Sequence, residues 1–200
     1  LTNRYPDARW VQFDAVSRDN VRKGTQLAFG KVLNPVYDFT QADVILSIDS
    51  DFTNEGPGSV RYARDFASRR KVRTSKVDGN GPEAMNRLYV VESMPTCTGS
   101  VADHRLAIRN ADMETFLRTL AEELKVPGAP APAAKLTGTP EKWIKPLAKD
   151  LSDKKGKSLI VVGDRQPASV HALAHAINST LGNLGKTVSF TAPPDNGTDR

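Results

Sequence analysis

Asp49, Asp51 and Glu55 follow the apolar run Val44-Ile45-Leu46-Ser47-Ile48 and lead into Gly56-Pro57-Gly58-Ser59. A strand, a loop and a helix in that order can bring backbone N–H groups to a phosphate. Ionised carboxylates only accept hydrogen bonds, so three acids are the wrong side chains for that task. Glu92 closes a second apolar run, "RLYVVE". An acid at a strand end can accept from ribose hydroxyls or cap the next turn, and both roles fit Glu92. His171 and His175 are spaced i, i+4, as two metal ligands on one helix face would be. No Glu follows His171, which removes the zinc-protease motif. Because they flank an apolar stripe, an ordinary, partly exposed pair is expected. Cys97 has no activating neighbour in sequence and reads as an incidental thiol. "GNLGKT" (182–187) ends like a phosphate-binding loop, but Thr180 stands where that motif needs Gly and a helix precedes it. "GNG" (79–81) reads as a turn. No Gly-x-Ser-x-Gly elbow supports a nucleophilic hydrolase.

These side chains must be held by a frame, and the apolar pattern describes one. Alternation over 8–16 predicts a strand, and 17–30 a helix with Ser17 at its N-cap and Val21, Leu27 and Ala28 facing the core. Residues 42–49, 87–93 and 157–163 read as strands buried on both faces. Ser59 is expected to cap a helix to about Lys71, with Val60, Ala63, Phe66 and Ala67 on its inner side. Residues 104–109 form a short strand. The helix at 110–126 carries a stripe of Phe116, Leu117, Leu120 and Leu124. A Pro/Ala-rich linker covers 126–140. After it come a helix at 141–156 broken by Pro146, a helix at 167–182 with Val170, Leu173, Ala174, Ile177 and Leu181 inward, and a strand at 186–190. Strands alternating with helices predict an α/β fold: a parallel Rossmann-like sheet with helices on both faces. Residues 1–125 and 141–200 then belong to one sheet or to two lobes. Ligands in such sheets lie beyond the carboxyl ends of the strands, which singles out loops 14–18, 49–58, 92–99 and 163–167.

Two hundred residues, 38% apolar and 26% charged, suit an ordinary globular chain. No apolar stretch approaches the ~20 residues that span a bilayer. A single cysteine excludes an internal disulfide and an iron–sulfur cluster built from this chain alone. The net charge of +5 is mild, and its densest run, "RRKVRTSK" (69–76), lacks interleaved aromatics, so no nucleic-acid partner is expected. The start at Leu1 reads as that of an excised fragment.

Four local matches together resemble the molybdopterin oxidoreductases that carry a bis-molybdopterin guanine dinucleotide. In that family a buried strand ends Gly-x-Asn-Pro with a proline soon after. "VILSIDSDFTNEGP" lies over it with Asp49 on the Gly, Asp51 on the Asn, Phe52 on the Pro, and Pro57 kept. Glu92-Ser93-Met94 falls on the family's Asp-Pro-Arg, followed by Thr98 and Ala102-Asp103. Arg109 keeps a basic residue before the next helix. An ungapped match there puts Ala111 and Met113 on the family's Gly and Asp, and a one-residue shift rescues Asp112. "TLGNLG" (180–185) is similar to Leu-Thr-Gly-Asn-Ile-Gly. Counted back from Gly30, the metal-ligand position falls on Ser17. Longer strings, "RYPDARWVQFD", "GPGSVRYARDFASRR" and "MNRLYVVESMPTCTGSVADHRLAIR", resemble the molybdopterin-oxidoreductase-like B subunit of alternative complex III.

The resemblance implies a piece of a quinol:acceptor oxidoreductase subunit at the periplasmic face of a bacterial membrane. Its partners would be an iron–sulfur region, cytochromes and a quinol-binding subunit. The family's iron–sulfur clusters would lie elsewhere in the chain. Ser17, Asp49, Asp51, Glu92, Thr98 and Asp112 become the vestigial cofactor-binding positions. Asp for Asn and Met94 for Arg replace donors and a cation with groups that repel or ignore a pyrophosphate. A structural domain that has lost its cofactor is therefore expected. An active molybdenum enzyme, with Ser17 at the metal and Glu92 on a ribose, is the alternative.

Overall fold

The computed structural model describes residues 4–9, 16–70 and 85–193. Its elements run α1 (Asp19–Phe29), β1 (Asn34–Tyr37), β2 (Val44–Ile48), α2 (Ser59–Ser68), β3 (Arg87–Glu92), α3 (Cys97–Ser100), β4 (His104–Ala107), α4 (Met113–Glu123), α5 (Thr139–Asp153), β5 (Ser158–Val162), α6 (Ala168–Thr180) and β6 (Val188–Thr191). A short 3-10 turn, Asn110–Asp112, leads into α4. The expected strand at 8–16 falls largely on residues outside this set, as do the Gly79–Gly81 turn and most of the basic run at 69–76.

Four parallel strands form the sheet in the order β4-β3-β2-β5. Their near-continuous apolar sequences are explained by cover on both faces. Val44, Leu46 and Ile48 of β2 point to the layer of α4, α5 and α6, with Tyr89, Val91, Ile160 and Val162 beside them. Ile45, Leu88, Val90, Leu159 and Val161 point the other way, onto Phe39, Phe52, and Tyr62 and Phe66 of α2. This is the α/β architecture expected from the sequence. β5 pairs with β2, so the chain on both sides of the Pro/Ala stretch builds one sheet. That stretch lies against the same core through Ala129 and Leu136.

Several local expectations are corrected. Residues 188–191 pair with β1, which the pattern did not show, in a separate antiparallel ribbon. Pro146 does not break α5, because Ile144, Leu147, Ala148 and Leu151 keep one face buried through the missing N–H. Ser59 is the first residue of α2 rather than its cap. Gly58 precedes it at a φ of +88°. Val60 and Ala67 point outward, and Tyr62, Asp65 and Phe66 point inward. In α1, Leu27 and Ala28 are exposed, while Val21, Gly24 and Thr25 are buried. The reason is that α1 packs on α6 and needs small residues there. A Cβ on Gly24 would sit 2.4 Å from the His171 Cβ. That docking also overturns the expected exposure of the histidines, since His171 and His175 are both buried.

The sheet reverses direction at β2. The chain moves outward through β3 and β4, then returns past β2 to β5. Such a switch opens a crevice between the carboxyl ends of β2 and β5.

Candidate functional site

Loops 49–58, 92–99 and 163–167, each singled out from the strand pattern, are brought together at that crevice by the pairing of β5 with β2. Asp49 turns the chain at the end of β2 with a φ of +50°, a left-handed conformation that Asp tolerates better than most residues. Its N–H donates to the Val91 carbonyl at 2.8 Å. Gly163, at the end of β5, lies so close that an added Cβ would be 1.9 Å from the Asp49 carbonyl oxygen. No side chain fits there.

The Asp49 carboxylate accepts from Gln166 Nε2 at 2.9 Å. Gln166 is buried, and its Nε2 also meets Asn110 Oδ1 at 2.6 Å and Met113 Sδ at 3.3 Å. Asp51 leans the opposite way, toward β3. Its Oδ1 accepts the Thr98 N–H at 2.8 Å and the Thr98 hydroxyl at 2.7 Å. Thr98 Oγ1 in turn accepts the Thr53 N–H at 3.2 Å. Between these bonds Phe52 stacks on Phe39 at 4.3 Å and roots the loop in the core. Glu55 pairs with Arg165 at 3.8 Å on the surface. The three acids therefore stitch the β2 loop to both neighbours, Asp51 to the β3 side and Asp49 and Glu55 to the β5 side.

Glu92 is only 1% exposed. Oε1 meets Arg105 Nε, and Oε2 accepts the Thr96 hydroxyl at 2.7 Å. Thr96 also caps α3 by accepting the Gly99 N–H. Gly99 packs on the carboxylate, where a Cβ would fall 2.0 Å from Oε1. Both Glu92 oxygens are thus engaged within the protein. Asp112 stands apart, ion-paired to Arg109 at 2.8 Å near the surface. Its neighbour Asn110 is the residue that reaches the crevice.

Ser17 is not the N-cap of α1, a place taken by Arg18; its Oγ accepts the Asp19 N–H at 3.0 Å in a side-chain turn just before the helix. Arg18 follows it, bonded to Asp164 at 3.0 Å and to Asn34 Oδ1 at 3.1 Å. These bonds anchor the start of α1 to the β5 loop and to β1. Beneath that loop, among the described residues, His171 Nε2 and both ring nitrogens of His175 have no hydrogen-bond partner. Burial pushes both imidazoles down to about 4. Asp164 opposes the shift at His171 and Arg18 adds to it. His175 lies between the Phe29 and Phe190 rings, and His171 lowers it further.

Chemically, the crevice presents carboxylates whose donors are already taken. A pyrophosphate there would have to displace Asp51 from Thr98 and Asp49 from Gln166, then leave two acids facing its own negative charge. This side-chain set does not fit such a group. Among the described residues, no group of three His, Cys, Asp or Glu could hold a metal ion, and no helix is long and apolar enough to cross a membrane. Gln166, Asn110 and Thr53 complete the network and were not singled out from the sequence. Gln166 at least lies in a loop that the strand pattern selects. No protein-family model matches the chain, and no curated protein matches it.

Proposed function

We infer that the chain is a structural α/β unit of a molybdopterin-oxidoreductase-like subunit, within a bacterial quinol:acceptor complex on the periplasmic side of the membrane. Its cofactor crevice has become a self-bonded joint between loops, and its role is to pack among iron–sulfur and cytochrome partners. The observation that carries this reading is the stitching of the β2 loop by Asp49–Gln166 and Asp51–Thr98. These two acids occupy the positions that the resemblance gives to Gly and Asn.

Two further features support it. Asp49 adopts a φ of +50°, the region glycine favours, at the position where the family has glycine. Asn183, in the stretch similar to Leu-Thr-Gly-Asn-Ile-Gly, is fully buried and hydrogen-bonds Ser158 and Asn178, so it has a purely structural task.

The test is metal and pterin analysis of the intact native subunit. Elemental analysis is expected to find no stoichiometric molybdenum, and oxidation is expected to release no stoichiometric fluorescent pterin. Stoichiometric amounts of both would replace this reading with that of a working molybdenum enzyme.

A further inference from the structure

A second region, at the opposite end of the sheet, has the reverse chemistry. Lys155, Lys157 and Lys186 border an open cavity of about 470 Å³, together with Asp38, Gln41, Gly156 and Gly185. The three lysines come from the turn after α5, the approach to β5 and the turn before β6. None of them makes an ion pair with a described residue, whereas neighbouring Lys154 pairs with Asp43 at 3.5 Å. The one carboxylate among the described lining residues, Asp38, has an oxygen bonded to the Thr40 N–H and hydroxyl. Three ammonium groups against one carboxylate leave the cavity positive.

The backbone that carries these lysines is fixed from below. Ser158, Asn178, Asn183 and Thr187 are buried and joined in one network. Asn183 Nδ2 donates to Ser158 Oγ at 3.1 Å and to Asn178 Oδ1 at 2.9 Å. Thr187 Oγ1 donates to the Ser158 carbonyl at 2.6 Å, and the Thr187 carbonyl accepts the Asp38 N–H at 2.8 Å. The Asn183 carbonyl accepts from the N–H groups of Lys186, Thr187 and Val188. Gly156, at a φ of +74°, leaves room for Lys186, since a Cβ there would lie 2.7 Å from Lys186 Nζ. A satisfied buried polar network of this kind is rigid. The backbone that carries the lysines is therefore set before any ligand arrives, which leaves only the exposed side chains to be ordered by binding.

We propose that this lysine cradle binds a phosphate-bearing anion of more than one negative charge. Lysine serves phosphate as a mobile point charge, and three of them around one concavity suit a group with several acceptor oxygens. The volume lies in the range of small-ligand sites and admits more than a single orthophosphate. The ligand's phosphate comes from a soluble polyphosphorylated molecule or from an anionic lipid headgroup. The inference rests on the amino-end geometry alone and is independent of the function proposed above.

Calorimetric titration of the full chain with inorganic pyrophosphate, and co-sedimentation with vesicles containing phosphatidic acid or made of phosphatidylcholine alone, test it. Binding to pyrophosphate, or to the anionic but not the zwitterionic vesicles, is expected, and which of the two occurs identifies the source. The variant K155Q/K157Q/K186Q is expected to weaken binding on the order of tenfold or more, each lysine supplying a modest charge contact. Asp38→Asn, which removes the opposing charge, is expected to tighten it severalfold. Failure of both probes to bind overturns the proposal. So does binding that neither variant alters.

Discussion

At the carboxyl ends of the strands Asp49, Asp51, Glu92 and Asp164 each meet a donor, whereas at the amino ends Lys155, Lys157 and Lys186 make no ion pair with a described residue. Both ends of a parallel sheet collect loops, and both here collect charge. The difference lies in where the partners come from. The β2 loop finds its donors on the two adjacent strand loops, and satisfying them closes the crevice. The amino-end turns find their partners underneath, among Ser158, Asn178, Asn183 and Thr187, and satisfying those leaves the lysines outside. One end spends its polar groups on itself, while the other keeps them available. Position at the carboxyl end of a parallel sheet is therefore a poor guide to binding unless the donors there are also free.

The contrast can be broken most strongly at the crevice. Gly163→Ala places a Cβ on the Asp49 carbonyl oxygen, and neither backbone can yield without parting β2 from β5. A loss of about 4 kcal/mol is expected, read as a lower denaturant midpoint at unchanged slope. Equal stability would mean that the two loops are not locked together.

Acid is the next probe. His171 and His175 have folded pKa values lowered to about 4 by burial. The unfolded chain takes up their protons first, near 6.5, so stability is full above that pH and falls as pH drops toward 4. Each histidine is expected to contribute on the order of 3 kcal/mol to that fall. Asp43 is partly buried, which by itself would raise its pKa, but Arg69 and Lys154 hold it low. Its contribution is lost only at still lower pH. H171Q/H175F should flatten the limb between 6.5 and 4 in a pH series of denaturation curves, and an unchanged limb would assign it to other groups.

Asp51 gives a smaller and graded effect. Asp51→Ala abandons the Thr98 N–H and hydroxyl at a part-buried position and should cost about 2 kcal/mol. Asp51→Asn keeps an acceptor oxygen and should cost less than about 1 kcal/mol. A thermal melt of the two variants separates loop stitching from charge. If Asn is as damaging as Ala, the carboxylate charge matters and the hydrogen bonds alone do not explain it.

At the other end, K155Q/K157Q/K186Q is expected to change stability by no more than about 0.5 kcal/mol, because no described interaction is lost. A clear gain in stability would sharpen the comparison further, by showing that the gathered lysines repel one another.

The parts of the fold that were legible are those in which burial repeats at short range. β2, β3 and β5 follow from unbroken apolar runs, and the inner faces of α4 and α6 follow from helical spacing, because each needs only neighbours within a turn or a strand. The inner faces of α1 and α2 were misread for the complementary reason. α1 lies on another helix and selects for small residues, and α2 buries Asp65 beside Tyr62 and Phe66. β1 was not legible at all. Its four residues pair with β6, more than half the chain away.

For the candidate site, the sequence by itself singled out the loops at the strand ends and showed that the acids on one of them were ill-suited to phosphate, since strand ends and ionisation are properties of local residues. Only the tertiary structure decided what the acids do instead. Asp51 meets Thr98 across 47 residues and Asp49 meets Gln166 across 117. It also decided that the two histidines are buried and that three scattered lysines share one cavity. Hydrogen bonds and charges act through space over a few ångströms, and no spacing along a chain records which distant side chain will arrive within that range.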